Sequence, residues 1–110
     1  MTFDEIYAAF REQMEARDLS GFGDGVYAYE FDITGEGEGK FYISVTDGRT
    51  EMQPFDYRNA LCTFTVDGAC LLDILRGQQP PVAAYASGRL RLRGDSGAAI
   101  RLADVLGLPL

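Results

Sequence analysis

A chain of 110 residues fits one domain spanning 1–110 and leaves no room for a second core. Its 46% apolar and 25% charged composition is that of a globular protein, and a formal net charge of −7 argues against nucleic acid as a partner, since that affinity needs clustered Lys and Arg. With no histidine anywhere, Ser-His and Cys-His nucleophile pairs and nearly all metal-site vocabularies fall away, so neither a metal nor a cofactor is expected.

The elements follow in order. Thr2-Phe3-Asp4-Glu5 has the form of a capping box, and Phe3, Ile6, Tyr7, Phe10 and Met14 then recur every three or four residues, which predicts an amphipathic helix stopped by Ser20-Gly21-Phe22-Gly23. From Val26 the period changes to two. Tyr27, Tyr29, Phe31 and Ile33 take the core face of a strand, with Ala28, Glu30 and Asp32 on the other. A turn at 35–39 leads into Phe41, Ile43 and Val45, and Asp47-Gly48 turns the chain again into Thr50-Glu51-Met52-Gln53, giving an antiparallel meander.

Residues 54–59 read as a loop and 61–66 as a fourth strand with Cys62, Phe64 and Val66 inward. Asp67 caps a helix carrying Cys70, Leu71, Ile74 and Leu75 to Gly77, and Pro80-Pro81 starts a second that runs to Gly88. The fifth strand is 89–93. Asp95 or Ser96 caps a last helix whose Ala99, Leu102, Ala103, Val105 and Leu106 form a broad apolar stripe, closed by Gly107 and Pro109. The positions Glu30, Asp32, Tyr42, Ser44 and Thr46 are expected to face water, so the helices need cover only one side of the sheet.

Cys62 and Cys70 read as buried free thiols rather than a bridge. The start lacks the basic and apolar runs of a secretory signal, and no window approaches the roughly 18 apolar residues of a membrane span. The expected location is cytoplasmic. Candidate carboxylate pairs, Glu36 with Glu38 and Glu30 with Asp32, fall on a glycine turn and on a solvent-facing strand side, where nothing adapts them to acid–base work. Charge is uneven: residues 1–59 carry net −8 and 60–110 net +1. Arg89, Arg91 and Arg93 project together from the strand side opposite Leu90 and Leu92, which suggests a solvated face or contact with a phosphate headgroup or an anionic membrane surface.

The second half resembles the sterol carrier protein type two domain family. The likeness lies in the order and spacing of Cys62-Thr63-Phe64-Thr65-Val66, of Leu71-Leu72-Asp73-Ile74-Leu75-Arg76-Gly77, of Pro81-Val82-Ala83-Ala84-Tyr85-Ala86-Ser87-Gly88 and of Arg89-Leu90-Arg91-Leu92-Arg93-Gly94-Asp95. The first half agrees more loosely, through Tyr29-Glu30-Phe31-Asp32-Ile33-Thr34-Gly35 and the Asp47-Gly48 turn. The resemblance implies an α+β fold: a five-stranded, largely antiparallel mixed sheet covered on one face by about four helices, with an apolar tunnel between. It also implies uptake of fatty acids, fatty acyl-coenzyme A, sterols or phospholipids without bond chemistry, so the protein is not expected to be an enzyme; the ligand expected is a fatty acid, acyl-coenzyme A, sterol-like or isoprenoid molecule.

The residues expected to line the tunnel are Phe10, Met14, Leu71, Leu75, Tyr85, Leu102, Val105 and Leu106, with Arg89, Arg91 and Arg93 as the headgroup candidates. Gly107-Leu108-Pro109-Leu110 is not a peroxisomal address of the Ser-Lys-Leu type, and the acidic balance suits storage or presentation of a lipid better than delivery to anionic membranes. A second expectation is an accessory protein whose groove binds or stabilises a lipid-metabolising enzyme.

Overall fold

The computed structural model describes residues 1–110. The Thr2 hydroxyl accepts from the Glu5 amide at 3.2 Å and so opens helix α1 (Phe3–Glu15), whose buried stripe is Ile6, Phe10 and Met14. The segment predicted only to stop this helix does more. It forms a short 3-10 turn (Leu19–Phe22), capped by the Asp18 carboxylate on the Ser20 amide at 3.0 Å, that drives Phe22 into the core.

Strands β1 (Val26–Thr34), β2 (Gly39–Thr46) and β3 (Arg49–Gln53) form the predicted antiparallel meander. Both residues of the β2–β3 turn, Asp47 (φ 49°) and Gly48 (φ 77°), are left-handed, the geometry that matches the twist of a two-residue hairpin. Strand β4 (Cys62–Asp67) then pairs parallel with β1, and β5 (Leu90–Gly94) closes the far edge antiparallel to β4, giving the order β3-β2-β1-β4-β5. The sheet is mixed, as expected.

The loop between β3 and β4 lies against the side of the sheet predicted to face water, which corrects that expectation for Glu30. The Tyr57 amide donates to the Glu30 carboxylate at 2.7 Å, the Tyr57 ring sits 4.8 Å from that of Tyr42, and Glu30 is buried.

Helices α2 (Gly68–Leu75), α3 (Pro81–Ala86) and α4 (Ser96–Val105) complete the opposite side. The Asp67 carboxylate accepts from the Cys70 amide at 2.8 Å and the Asp95 carboxylate from the Ala98 amide at 3.1 Å, so both predicted caps form and Asp95 rather than Ser96 caps α4. At the end of α4 the Leu108 amide donates to the Ala103 carbonyl and the Gly107 amide to that of Asp104. This closure needs the left-handed Gly107 (φ 67°) and folds Leu108 back onto the helix.

The core is an aromatic stack on the inner sheet face. Phe31 lies between Phe41 and Phe64 with ring centres 4.9 Å away on each side, and Phe10 of α1 covers it at 4.7 Å. Such pairs add about 0.5–1.5 kcal/mol each beyond their buried area. Cys62 and Cys70 are free and buried.

Candidate functional site

The helices do not lie flush. α1 packs chiefly on α2, α3 on β5, and α4 on the 3-10 turn and β4. Between them is an apolar cavity of about 270 Å³ in which 17 of 19 lining residues are hydrophobic. Its floor is sheet: Phe31, Phe64, Leu90 and Leu92. Leu71, Ile74 and Leu75 of α2 form one wall, Val82 and Tyr85 of α3 another, and Ala99, Leu102, Ala103 and Leu106 of α4 the third. Small residues help make the room, since the α4 side alternates alanine with leucine: Ala99, Leu102, Ala103 and Leu106.

A hollow of this size is not what a close-packed core leaves by chance: sealed and empty, about 270 Å³ would cost roughly 6 kcal/mol at about 24 cal/mol per Å³, and here it is open at the surface instead. The volume also exceeds the ~150 Å³ of an apolar cavity known to stay dry and admit benzene. The mouth is ringed by apolar side chains more than half exposed: Val82 56%, Tyr85 58%, Ile100 55% and Leu110 54%.

Of the residues expected to line the tunnel, Phe10, Leu71, Leu75, Tyr85, Leu102 and Leu106 meet at this cavity. Met14 and Val105 do not. Met14 is buried a helical turn beyond Phe10, beside Met52 of β3, and Val105 packs toward the 3-10 turn, where its Cγ2 lies 3.0 Å from the place a side chain on Gly21 would occupy. None of the three arginines lines the cavity: Arg91 and Arg93 project from the outer sheet face, and Arg89, just before β5, is 3.6 Å from the Asp67 carboxylate.

Several cavity residues were not anticipated. Val82 and Ile100 are large apolar side chains off the buried stripes of their helices, and Leu108 and Leu110 follow Gly107. The signal for Leu108 was its place after a helix-ending glycine, where an apolar residue usually packs back on the helix.

The cavity offers contact rather than reactivity. Its only side-chain hydroxyls are those of Tyr85 and Ser96, and no group of three His, Cys, Asp or Glu side chains converges anywhere in the chain. The thiols are held protonated: burial pushes Cys62 up to about 11, and it donates to the Asp95 carbonyl at 2.7 Å, while burial raises Cys70 as well. Tyr29, raised by burial, donates at 2.7 Å to the Ala98 carbonyl and so fastens the start of α4 to the sheet.

Sheet, helices and hollow together define an α+β domain built around an apolar cavity. The chain belongs to the SCP-2 sterol transfer family, whose family model matches residues 4–107. Over 106 residues it is 28% identical to sterol carrier protein 2 of Oryctolagus cuniculus, taking in 96% of this chain and 19% of that protein. The chain thus spans about a fifth of that relative's length. The solution structure of Aedes aegypti sterol carrier protein-2 in complex with palmitate has the same fold, with TM-score 0.67 and 18% identity over 96% of this chain and 94% of that one. UbiJ-SCP2, a ubiquinone synthesis protein, shares it with TM-score 0.63 and 15% identity over 90% and 78% of the respective chains. No helix here is long and apolar enough to cross a membrane.

Proposed function

We propose that this protein is a lipid carrier that shelters the hydrocarbon part of a fatty acid, fatty acyl-coenzyme A, sterol-like or isoprenoid molecule and makes or breaks no bond. The observation that carries this reading is the cavity itself, large, apolar and open at one end in a core that is otherwise close-packed. Family membership and the palmitate held by a protein of the same fold support it. Each methylene taken from water contributes about 0.8 kcal/mol, so affinity grows with chain length and depends weakly on the polar end.

Native mass spectrometry of protein purified from cells, with uptake of a fluorescent fatty acid by delipidated protein, tests the proposal. Leu102→Asp puts a carboxylate in the cavity wall and weakens uptake at least ten-fold, whereas Val105→Ala, outside the cavity, leaves it within two-fold. Protein that arrives empty and takes up no fatty acid would sink the reading. The exposed apolar ring at the mouth favours one second reading, in which the protein presents its ligand to a lipid-metabolising enzyme docked there. Binding of such an enzyme to ligand-free protein, lost in Val82→Asp, distinguishes it.

A further inference from the structure

The outer face of the sheet, on the far side from the cavity, carries a polar groove of about 340 Å³ that the carrier role leaves unused. The strand register builds it from two rows. One runs Lys40 (β2), Asp32 (β1), Thr65 (β4), Arg91 (β5), and the other Tyr42, Glu30, Thr63, Arg93 over the same four strands. The first row and all of the second except Tyr42 line the groove.

The charges in these rows are not spent on one another. The only ion pairs in the chain are the N-terminus with Glu36 and Arg89 with Asp67, so Lys40, Arg91 and Arg93 are unpaired in a protein of net charge −7. Thr63 and Thr65, half-buried on the groove floor, have hydroxyls with no partner in the chain, and neither arginine nor the lysine makes an intramolecular side-chain hydrogen bond. The two carboxylates are placed away from the arginines. Glu30 is buried and held by the Tyr57 amide, and Asp32 stands directly across from Lys40. With strands about 4.8 Å apart, both lie on a strand roughly 10 Å from the arginine row, and the threonines occupy the space between.

We infer that this groove is a binding site for a phosphate group. Arg91 and Arg93, two positions apart on one face of β5, stand about 6.6 Å from each other along the strand and can hold an oxyanion between them on the β5 side of the Thr63 and Thr65 hydroxyls, the side away from Glu30 and Asp32. Guanidinium groups pair with phosphate through two parallel N–H bonds, and the hydroxyls donate to its remaining oxygens. Lys40, across from Asp32 without forming an ion pair with it, adds positive potential at the far end of that row and partly offsets the carboxylate. The phosphate belongs either to a free phosphate ester or to a lipid headgroup at a bilayer surface. Groove and cavity share only Leu92 among their lining residues, so the site functions whether or not the cavity is filled.

Amide chemical shifts of the protein, titrated with inorganic phosphate against chloride at matched ionic strength, test the site, alongside sedimentation with phosphatidylcholine vesicles containing phosphatidic acid. Saturable shifts confined to residues 30–32, 63–65 and 91–93, weakened at least ten-fold in Arg91→Ala/Arg93→Ala, assign a free phosphate ester. Vesicle binding lost in the same double variant, without a response to inorganic phosphate, assigns a lipid headgroup. Both arginines are exposed, so the variant keeps its fold, which an unchanged melting temperature checks; Thr63→Val, expected to weaken binding several-fold, reports on the site from a half-buried position. A phosphate response no larger than that to chloride together with no vesicle binding, or a response that survives loss of both arginines, overturns the inference.

Discussion

Ala103→Leu distinguishes a cavity from a packed interior by the sign of its effect. Ala103 is 8% exposed and lies in the α4 wall. Leucine adds three carbons, which at about 0.8 kcal/mol each give roughly 2.4 kcal/mol if the cavity receives them. Ordering the longer side chain takes back about 0.5–1 kcal/mol, and the change in helix propensity is a few tenths at most. Delipidated protein should therefore gain about 1–1.5 kcal/mol, a rise of roughly 5–10 °C in melting temperature for a domain of this size. The same three carbons exclude a comparable length of ligand, about 2 kcal/mol, so fluorescent fatty acid should bind ten- to thirty-fold more weakly. Differential scanning calorimetry and a binding titration on the same preparation read both. In a filled interior leucine would overpack and cost about 1–3 kcal/mol. A lowered melting temperature with unchanged uptake refutes the cavity argument.

Two other predictions concern the frame around the cavity. Gly94 ends β5 at φ 111°, and a side chain there would collide with the backbone carbonyl of Leu61, so Gly94→Ala should lower stability by about 3 kcal/mol or more in urea titration; Gly48→Ala, left-handed but with open space around it, should lose only about 1 kcal/mol. Alkaline conditions should also weaken the fold. The Cys62 thiol is pushed from 9.0 up to about 11 by burial, so between these values the unfolded chain has released a proton that the folded chain still holds. Stability is then intact below about pH 9 and falls as pH rises toward 11, and the fall should be shallower in Cys62→Ala. Urea midpoints that stay level from pH 8 to 10.5 would contradict this.

The elements were legible in the sequence because their signals are local. Thr2, Asp67 and Asp95 each announce a helix with an oxygen that takes up a loose amide three residues on, and the change from Met14's period to Tyr29's marks where helix gives way to strand. What joins distant segments was not legible. The loop over Glu30 depends on β4 lying parallel to β1, a pairing that no short-range pattern encodes.

The two misplaced cavity residues have a geometric cause. Met14 shares the buried stripe of Phe10 but sits about 6 Å further along the axis, past the end of the cavity. Val105 and Ile100 flank the α4 stripe about 110° to either side, and sequence alone does not say which flank is covered. The unforeseen 3-10 turn at Leu19–Phe22 takes the Val105 side, which leaves Ile100 at the mouth. The arginine strand was read with its faces in the right order, and its leucines do form the cavity floor.

The walls of the cavity differ in how firmly they are held. α2 buries six residues, and α4 is tied at its start by the Tyr29 hydroxyl and along its length by Arg101, which donates to the Gly21 carbonyl at 2.7 Å. α3 has six residues, one of them buried, and no side chain capping its start. So short a helix has almost no stability of its own, and little buried surface resists its displacement. The cavity therefore has a fixed floor and one compliant side: a guest wider than the hollow would be taken in at least cost by shifting Val82 and Tyr85 outward, so the limit on guest width would be set by six residues rather than by the sheet.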